Sequence, residues 1–403
     1  MRILISGASI AGPVLAYWLA RYGLDVTVVE RAPQLRKTGG HAVDLFRPAI
    51  EISAKMDVLP QIEALVTGTS RLTLYRQGAR RPVRVDVTKI VAAASDRHVE
   101  IMRDDLSEVY YRAGRDHVEY LFGDCITGIS CDGQVTFEQG KPRRFDVVVG
   151  ADGLHSNVRR LTFGADTGRS RFLGGYLAVL SVPKTLAREG ESTAHLGAGR
   201  VAMIYTAHPL DDARALFLFR RTEQLRYHHR DVMRQKRLLR DAVAGMHPQV
   251  DVWLGELDRT PSFYFDSITQ LQLDSWSRGR VTLVGDAGYC PGPAVGGSTS
   301  IAVLGAYILA GELARSGGDY ARAFAGYEQQ MADPIRRSRG FAHAMAKSIV
   351  PGSTAGVWAL TRGAQLVSLL PAGLTRTVAK LNTKGVRLYD SMRFQEYGEL
   401  ARG

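Results

Sequence analysis

The stretch MRILISGASIAGPVLAYWLARYGLDVTVVER, residues 1–31, decides the fold. Residues 2–6 are a short apolar run, the pattern of a buried strand. Gly7-Ala8-Ser9-Ile10-Ala11-Gly12 is a tight turn. Residues 14–22 carry apolar side chains at helical spacing, and Gly23 stands where that helix must stop. Residues 24–29 are apolar and β-branched, and Glu30 ends them. Strand, glycine turn, helix, strand and acid follow in the order of a dinucleotide-binding βαβ unit.

Each residue type in the turn has a physical reason. Gly7 lets the backbone turn sharply after the strand, and Gly12 lets the helix pack close to the sheet. The helix start, at Ile10, Ala11 and Gly12, presents unpaired N–H groups and a partial positive charge to a pyrophosphate. Glu30 can accept hydrogen bonds from an adenosine ribose. Ser9 stands at the second glycine of the fingerprint, so a pyrophosphate approaches past a small side chain. The turn by itself does not distinguish NAD, NADP and FAD.

With 403 residues the chain has room for two or three domains, or one large α/β unit with an insertion. Cys125, Cys131 and Cys290 are too few and too scattered for a disulfide framework or a zinc site, so no metal is expected. The first strand begins almost at Met1 with no signal peptide before it, which suits a reducing, cytoplasmic setting. Apolar runs near residues 301–310 and 349–374 are interrupted by Glu312, Pro351, Arg362 and Pro371, so no membrane insertion is expected. The net charge of +12 is dispersed. The basic stretch RYHHRDVMRQKRLLR, residues 226–240, is read as a solvated helix face rather than a nucleic-acid surface, because no aromatic stacking pattern accompanies it.

Two further glycine elements follow. In RFDVVVGADGLHSNVRR, residues 146–150 are a buried strand, Gly150-Ala151-Asp152-Gly153 turns it, and a helix begins at 156–160. Residues 280–285 return to a buried strand that runs into GDAGYCPGPAVGGS, residues 285–298, with a helix over 299–314. Between them, residues 171–265 change character: 172–182, 194–208 and 213–221 alternate apolar and polar residues as antiparallel strands, 231–246 is an amphipathic helix, and 250–254 and 263–268 read as more strands. The fold class is α/β, with a dinucleotide-binding Rossmann-like domain, which the resemblance given below makes FAD-binding, an inserted antiparallel β-sheet domain, which it makes the substrate domain, and a C-terminal helical segment. The expected division is 1–170 with 266–340, then 171–265, then 341–403.

With these three elements in this order and spacing, the chain resembles the FAD-dependent aromatic monooxygenases of the para-hydroxybenzoate hydroxylase fold, the group A flavoprotein hydroxylases. The tetracycline-inactivating and polyketide-tailoring members are the nearest in kind. The resemblance covers nearly the whole chain. It implies that Gly7, Ser9 and Gly12 hold the FAD pyrophosphate, with Glu30 at the adenosine ribose and Arg31 beside it. Arg103 matches the family's flavin-contacting arginine at a helix start, and Asp152-Gly153 matches its DG motif, linked to FAD and NAD(P)H. Gly285-Asp286 is implied to hold the ribitol chain, and the loop 293–297 (Pro293, Gly296, Gly297), with Ser298, to lie beside the isoalloxazine. Tyr289, Ser298 and Ser300 depart from the residues many members carry there.

The implied reaction passes hydride from NADPH or NADH to FAD, adds O2 at the flavin C4a, and delivers oxygen from the hydroperoxide to an aromatic or polyketide-like small molecule. Tyr176, Met203, Tyr205, Phe217 and Phe219 lie on strands of the insertion and are read equally as substrate wall or sheet core. No general base stands out; His195, His208, His228 and His229 are candidates only in that they titrate. A monomer or homodimer is expected. Trp18, Trp253, Trp276 and Trp358 supply no Trp-x-Trp-x-Ile pattern, which excludes a flavin halogenase. A flavin reductase or desaturase of the same fold, and a flavin-binding module without turnover, stay open.

Overall fold

Arg2–Ser6 lies in the middle of a six-stranded sheet, with Asp25–Glu30 paired in parallel on one side and Val147–Gly150 on the other. The computed structural model that shows this describes residues 1–35, 40–88, 97–164, 169–208, 210–293, 297–369 and 391–398. Glu119–Phe122 extends one flank and Val281–Leu283 the other, both in parallel; the short Ser277–Arg278 closes the edge antiparallel. Ile3, Leu4, Ile5, Val147, Val148 and Val149 have no exposed surface. Strands covered on both faces need apolar residues at every position, which is why these runs show no alternation in the sequence. The first helix, Ala11–Arg21, packs against the helix Ser298–Arg315 and against Arg103–Gly114.

The second sheet has seven strands, in the order Phe263–Gln272, Arg169–Pro183, Asp212–Arg220, Arg200–Tyr205, Glu191–Gly197, Arg71–Arg76 and Val83–Asp86. Its last two strands come from far earlier in the chain, and Arg71–Arg76 joins in parallel with Glu191–Gly197. The alternating run 194–208 is a hairpin rather than one strand, turned at Gly199 with φ 72°.

Residues 250–254, expected as a strand, are helical. They belong to Pro248–Gly255, with proline in its first turn and His247 accepting the Gln249 N–H at its start. Val250, Trp253 and Leu254 are its buried residues, at helical rather than alternating spacing. The basic stretch forms the helix Val232–Val243, which buries Leu238, Leu239 and Val243.

Cross-strand register sorts the second sheet's side chains between two faces. Tyr176 lies opposite Phe219, and Ala178 and Ala202 opposite Phe217. This face is sealed by Val232–Val243 and Pro248–Gly255. The other face carries Leu177, Val179, Leu218, Met203 and Tyr264, and meets Ala342 and Ala346 of the long helix Tyr320–Ser348. A two-stranded ribbon, Ala42–Phe46 with His98–Met102, stands near it, joined through the Ala42 N–H to Tyr205. Thr354–Leu369 is the last described helix, and Pro371, which interrupts the apolar run 349–374, lies outside the described residues. Among the described residues no helix is long and apolar enough to cross a membrane.

Candidate flavin site

The three glycine elements meet at the carboxyl edge of the parallel sheet, where the strand order reverses around Arg2–Ser6. Gly7 donates to Val29 C=O at 2.8 Å and Ala151 N–H to Ser6 C=O at 2.8 Å, so the loops continue the sheet's register. Gly7 has φ 108°, and a Cβ there would lie 2.6 Å from Ala151 O; at Gly12 it would lie 1.9 Å from Gly7 O. Neither position admits a side chain. Glu30 holds the turn from below: Ala8 N–H and Ala32 N–H donate to its two carboxylate oxygens, each at 2.9 Å. Each oxygen keeps a second lone pair for a further donor.

Three helices start at this edge, Ala11–Arg21, Arg103–Gly114 and Ser298–Arg315, and none has a side-chain cap. Elsewhere Ser156, Asp231, His247 and Asp319 cap their helices, while Arg47–Lys55, Leu59–Glu63 and Asp286–Tyr289 also start without a side-chain cap. Uncapped N-termini gathered in one place leave N–H donors and positive dipole ends for an anionic ligand.

Arg103 joins the elements. Its Nη2 donates to Ser9 Oγ at 3.1 Å, which gives the serine at the fingerprint's second glycine a partner. Ser107, one turn on, donates to Ser9 C=O at 3.0 Å. Burial pushes the Asp286 carboxyl up, and the Arg103 guanidinium opposes the shift. The same cation bears on His41, whose imidazole is driven down to about 4 by burial first and Arg103 second. It opposes the strong upward push that burial and Asp266 exert on the Tyr264 hydroxyl. His41, Tyr264 and Asp266 were missed by sequence reasoning, since none stands in a motif.

Asp152 turns toward its own helix. It accepts from Ser156 Oγ, and from Asn157 N–H and Val158 N–H at 2.8 and 3.1 Å. Next to it His155 Nε2 meets Asp266 Oδ2 at 2.8 Å, linking the loop to the second sheet. Arg159 spans two motifs, donating to Leu154 C=O at 2.6 Å and Ala287 C=O at 2.8 Å. At the third element Gly285 has φ 67°, and a Cβ there would stand 3.3 Å from Ala302 Cβ and 3.4 Å from Ala11 Cβ. Gly285 thus lets two helices close over the strand end. Gly297, φ 78°, starts Ser298–Arg315; Pro293 is described, whereas Gly296 lies outside the described residues.

The departures have structural partners. Tyr289 is buried, its hydroxyl receives Tyr327 Oη at 3.0 Å, and Gly305 on the facing helix leaves room for it. Ser300 Oγ accepts the Phe46 N–H at 3.0 Å, tying the ribbon to the helix. Burial and the neighbouring Asp286 hold the Cys290 thiol protonated, well above its ordinary range, so it is not a nucleophile at neutral pH.

The five aromatic and sulfur side chains expected near a substrate part company. Tyr176, Phe217 and Phe219 lie in the sealed core under the two helices, and Tyr176 Oη accepts the Leu225 N–H at 2.6 Å. Met203 lies on the opposite face with Tyr264. Tyr205 Oη accepts the Ala42 N–H at 2.9 Å, so it reaches the loop beside Arg103. Among the described residues no cluster of three His, Cys, Asp or Glu could hold a metal.

Comparison with known proteins agrees with this geometry. Residues 1–322 match the family model described as FAD binding domain. An uncharacterized protein, Rv1260 of Mycobacterium tuberculosis, is 41% identical over 346 residues, covering 84% of this chain and 91% of its own. A flavin-dependent monooxygenase of Legionella longbeachae is 34% identical over 330 residues, covering 81% and 84%. The crystal structure of the tetracycline destructase Tet(51) superposes with a TM-score of 0.83 at 29% identity, over 98% of this chain and 99% of that one. The chain belongs to the FAD-binding family of flavin-dependent monooxygenases, the group A flavoprotein hydroxylases.

Proposed function

We propose that this chain is a hydroxylase that uses NADPH or NADH and O2 to oxygenate an aromatic or polyketide-like small molecule. One observation carries the reading: Arg103 bonds Ser9 in the first glycine element while Arg159 bonds Leu154 beside the second and Ala287 in the third, so the three elements line one edge long enough for an extended dinucleotide. The residues fit FAD by their sterics as well as their chemistry, because Gly7 and Gly12 are closed to any side chain while the helix starts at Ala11 and Ser298 carry no side-chain cap.

In this reading Gly7, Ser9, Ile10, Ala11 and Gly12 take the pyrophosphate on the first helix N-terminus, and Glu30 with Arg31 takes the adenosine ribose. Gly285 and Asp286 hold the ribityl chain, Arg103 bridges, and Gly153 and Asp152 shape the loop between. Pro293, Gly296, Gly297 and Ser298 flank the ring, where the dipole of Ser298–Arg315 favours negative charge. When bound, FAD supplies the redox chemistry, taking electrons from the reduced nicotinamide and passing oxygen from O2 to the substrate. The protein's share is to orient and to exclude water. Met203 and Tyr264, on the second sheet's inner face, form the apolar wall for the substrate. The dispersed charge of +12 draws in anionic nucleotides.

The test is purified protein with a flavin spectrum, assayed for NADPH and NADH oxidation with and without candidate aromatics. Substrate-stimulated oxidation with a product heavier by one oxygen is the expected result. Flavin that neither nucleotide reduces points to a binding module, and reduction without oxygenated product to a reductase. Asp286→Ala lowers FAD retention if the third element is assigned correctly.

A further inference from the structure

The loop 40–42 is short, yet its backbone is held both from the helix Arg103–Gly114 and from the second sheet. Asp104, in the first turn of Arg103–Gly114, accepts the Gly40 N–H at 2.7 Å. Arg214 Nε donates to the Gly40 C=O at 2.9 Å. Tyr205 Oη accepts the Ala42 N–H at 2.9 Å, and the Arg103 N–H donates to His41 C=O at 3.1 Å. A Cβ at residue 40 would lie 2.5 Å from Asp104 Oδ1, so the carboxylate reaches this backbone only because the residue is glycine.

The two holders on the second sheet are one unit. Tyr205 and Arg214 are direct partners in the strand register, so their side chains leave the same face side by side. Arg214 is 2% exposed, ion-paired with Asp212, and its charge also bears on Asp105, whose second carboxylate oxygen is buried without a partner. A buried guanidinium loses much hydration and is retained where it fixes a particular arrangement. Here it fixes a loop that belongs to the other half of the protein. The residue between the two anchored ones is His41, whose carbonyl takes the Arg103 N–H and whose ring stands 6.1 Å from that of Tyr264.

We propose that the cross-strand pair Tyr205–Arg214 is a positioning device, which clamps loop 40–42 so that His41 is held beside Arg103, and thereby couples the second sheet to the flavin pocket. The inference rests on the FAD reading above for its functional half, while the clamp itself is a property of the protein without cofactor. A ligand that shifts the Arg200–Tyr205 and Asp212–Arg220 strands would move the loop backbone by hydrogen bonds on both sides of His41. Tyr205, an aromatic that reads as substrate wall, is then an anchor.

Amide exchange on the apoprotein reads the clamp directly. In Tyr205→Phe the Ala42 amide loses its acceptor and exchanges about tenfold faster. In Arg214→Met the Gly40 and Ala42 amides both exchange faster, and Arg214→Lys restores part of the protection. FAD titration is the second readout. Tyr205→Phe and Arg214→Met each weaken binding about tenfold, the double variant little more than Arg214→Met, and the circular dichroism of bound flavin shifts. Leu239→Val, in the sealed core on the sheet's other face, lowers thermal stability and leaves FAD affinity and flavin dichroism unchanged. Wild-type exchange and FAD affinity in folded Tyr205→Phe and Arg214→Met overturn the proposal. If Arg214→Met does not fold, Tyr205→Phe, which removes a single oxygen, decides. A wild-type chain that binds no FAD refutes the cofactor reading, while its amide exchange still answers for the clamp.

Discussion

Gly305→Ala should change sign with the residue at 289. Gly305 lies inside the helix Ser298–Arg315, and a Cβ built on it would stand 2.0 Å from Tyr289 Oη, 3.2 Å from Cζ and 3.3 Å from Met331 Cε. Tyr289 is 1% exposed, and its hydroxyl bonds Tyr327 Oη at 3.0 Å, so it cannot swing aside. Forcing a methyl into such a site costs about 1–3 kcal/mol. Replacing a mid-helix glycine by alanine returns about 1 kcal/mol through helix propensity. In the natural background the net is a loss of up to about 2 kcal/mol. In Tyr289→Phe the oxygen is gone, and the nearest remaining atoms need yield only a few tenths of an ångström. There Gly305→Ala should be neutral or stabilising by up to about 1 kcal/mol. The coupling across the double-mutant cycle is therefore about 2 kcal/mol. Urea unfolding followed by tryptophan fluorescence reads it, since Trp276 packs edge-on to Tyr289 at 5.5 Å. FAD affinity should follow stability, because Tyr289 and Asp286 share one short helix, Asp286–Tyr289. Equal effects of Gly305→Ala in both backgrounds would show that the hydroxyl does not occupy this notch, and the argument for the Tyr289 departure would fall.

Glu30→Gln keeps the shape of the acid and replaces one of its two accepting oxygens by a donor, leaving the Ala8 or Ala32 N–H without its partner. FAD affinity should drop about tenfold or more, measured by flavin fluorescence. Arg159→Met removes the donor shared by Leu154 and Ala287 and should lower both stability, by about 1–3 kcal/mol, and FAD retention after gel filtration. His195 is buried at 2% exposure, with Nδ1 unpartnered, and burial pushes its imidazole down to about 4. A folded value below the ordinary one of 6.5 means the native state resists protonation. Stability is therefore unaffected above pH 6.5 and lost as pH falls from 6.5 toward 4, by about 1–2 kcal/mol at pH 5. Urea unfolding of His195→Gln between pH 8 and 5 checks the sign, because its pH slope should be shallower than that of the natural chain.

What the chain reveals about itself differs by the physics involved. The glycine elements are legible because they are steric statements about the residue's own backbone. Gly7 and Gly12 stand where another part of the backbone comes too close for a side chain, Gly285 takes a left-handed backbone with φ 67°, and the neighbouring apolar runs announce the buried strands beside them. Helix starts read well for a similar local reason. The exception is Pro248–Gly255, where alternating Val250 and Val252 suggested a strand, although the preceding His247-Pro248, a cap and a first-turn proline, carried the correct signal.

Which face a strand residue takes is another matter, because it depends on the pairing register and on what covers the sheet. Tyr176, Phe217 and Phe219 look no different in sequence from Met203 and Tyr205, yet the helices Val232–Val243 and Pro248–Gly255 seal the first three away from the flavin edge. Arg214 is the extreme case. It stands in ARALFLF as one cation in an apolar run, and nothing local says whether it is a surface residue or a buried clamp. Its meaning comes from Gly40, 174 positions earlier, whose carbonyl it holds. The contacts that join the two sheets, Arg214 to Gly40, Tyr205 to Ala42 and His155 to Asp266, all span more than 100 residues and involve none of the glycine motifs. The motifs identify the cofactor because every member must meet the same pyrophosphate. The long-range contacts follow instead from the pairing register that sets Tyr205 opposite Arg214, which is why no local pattern announces them.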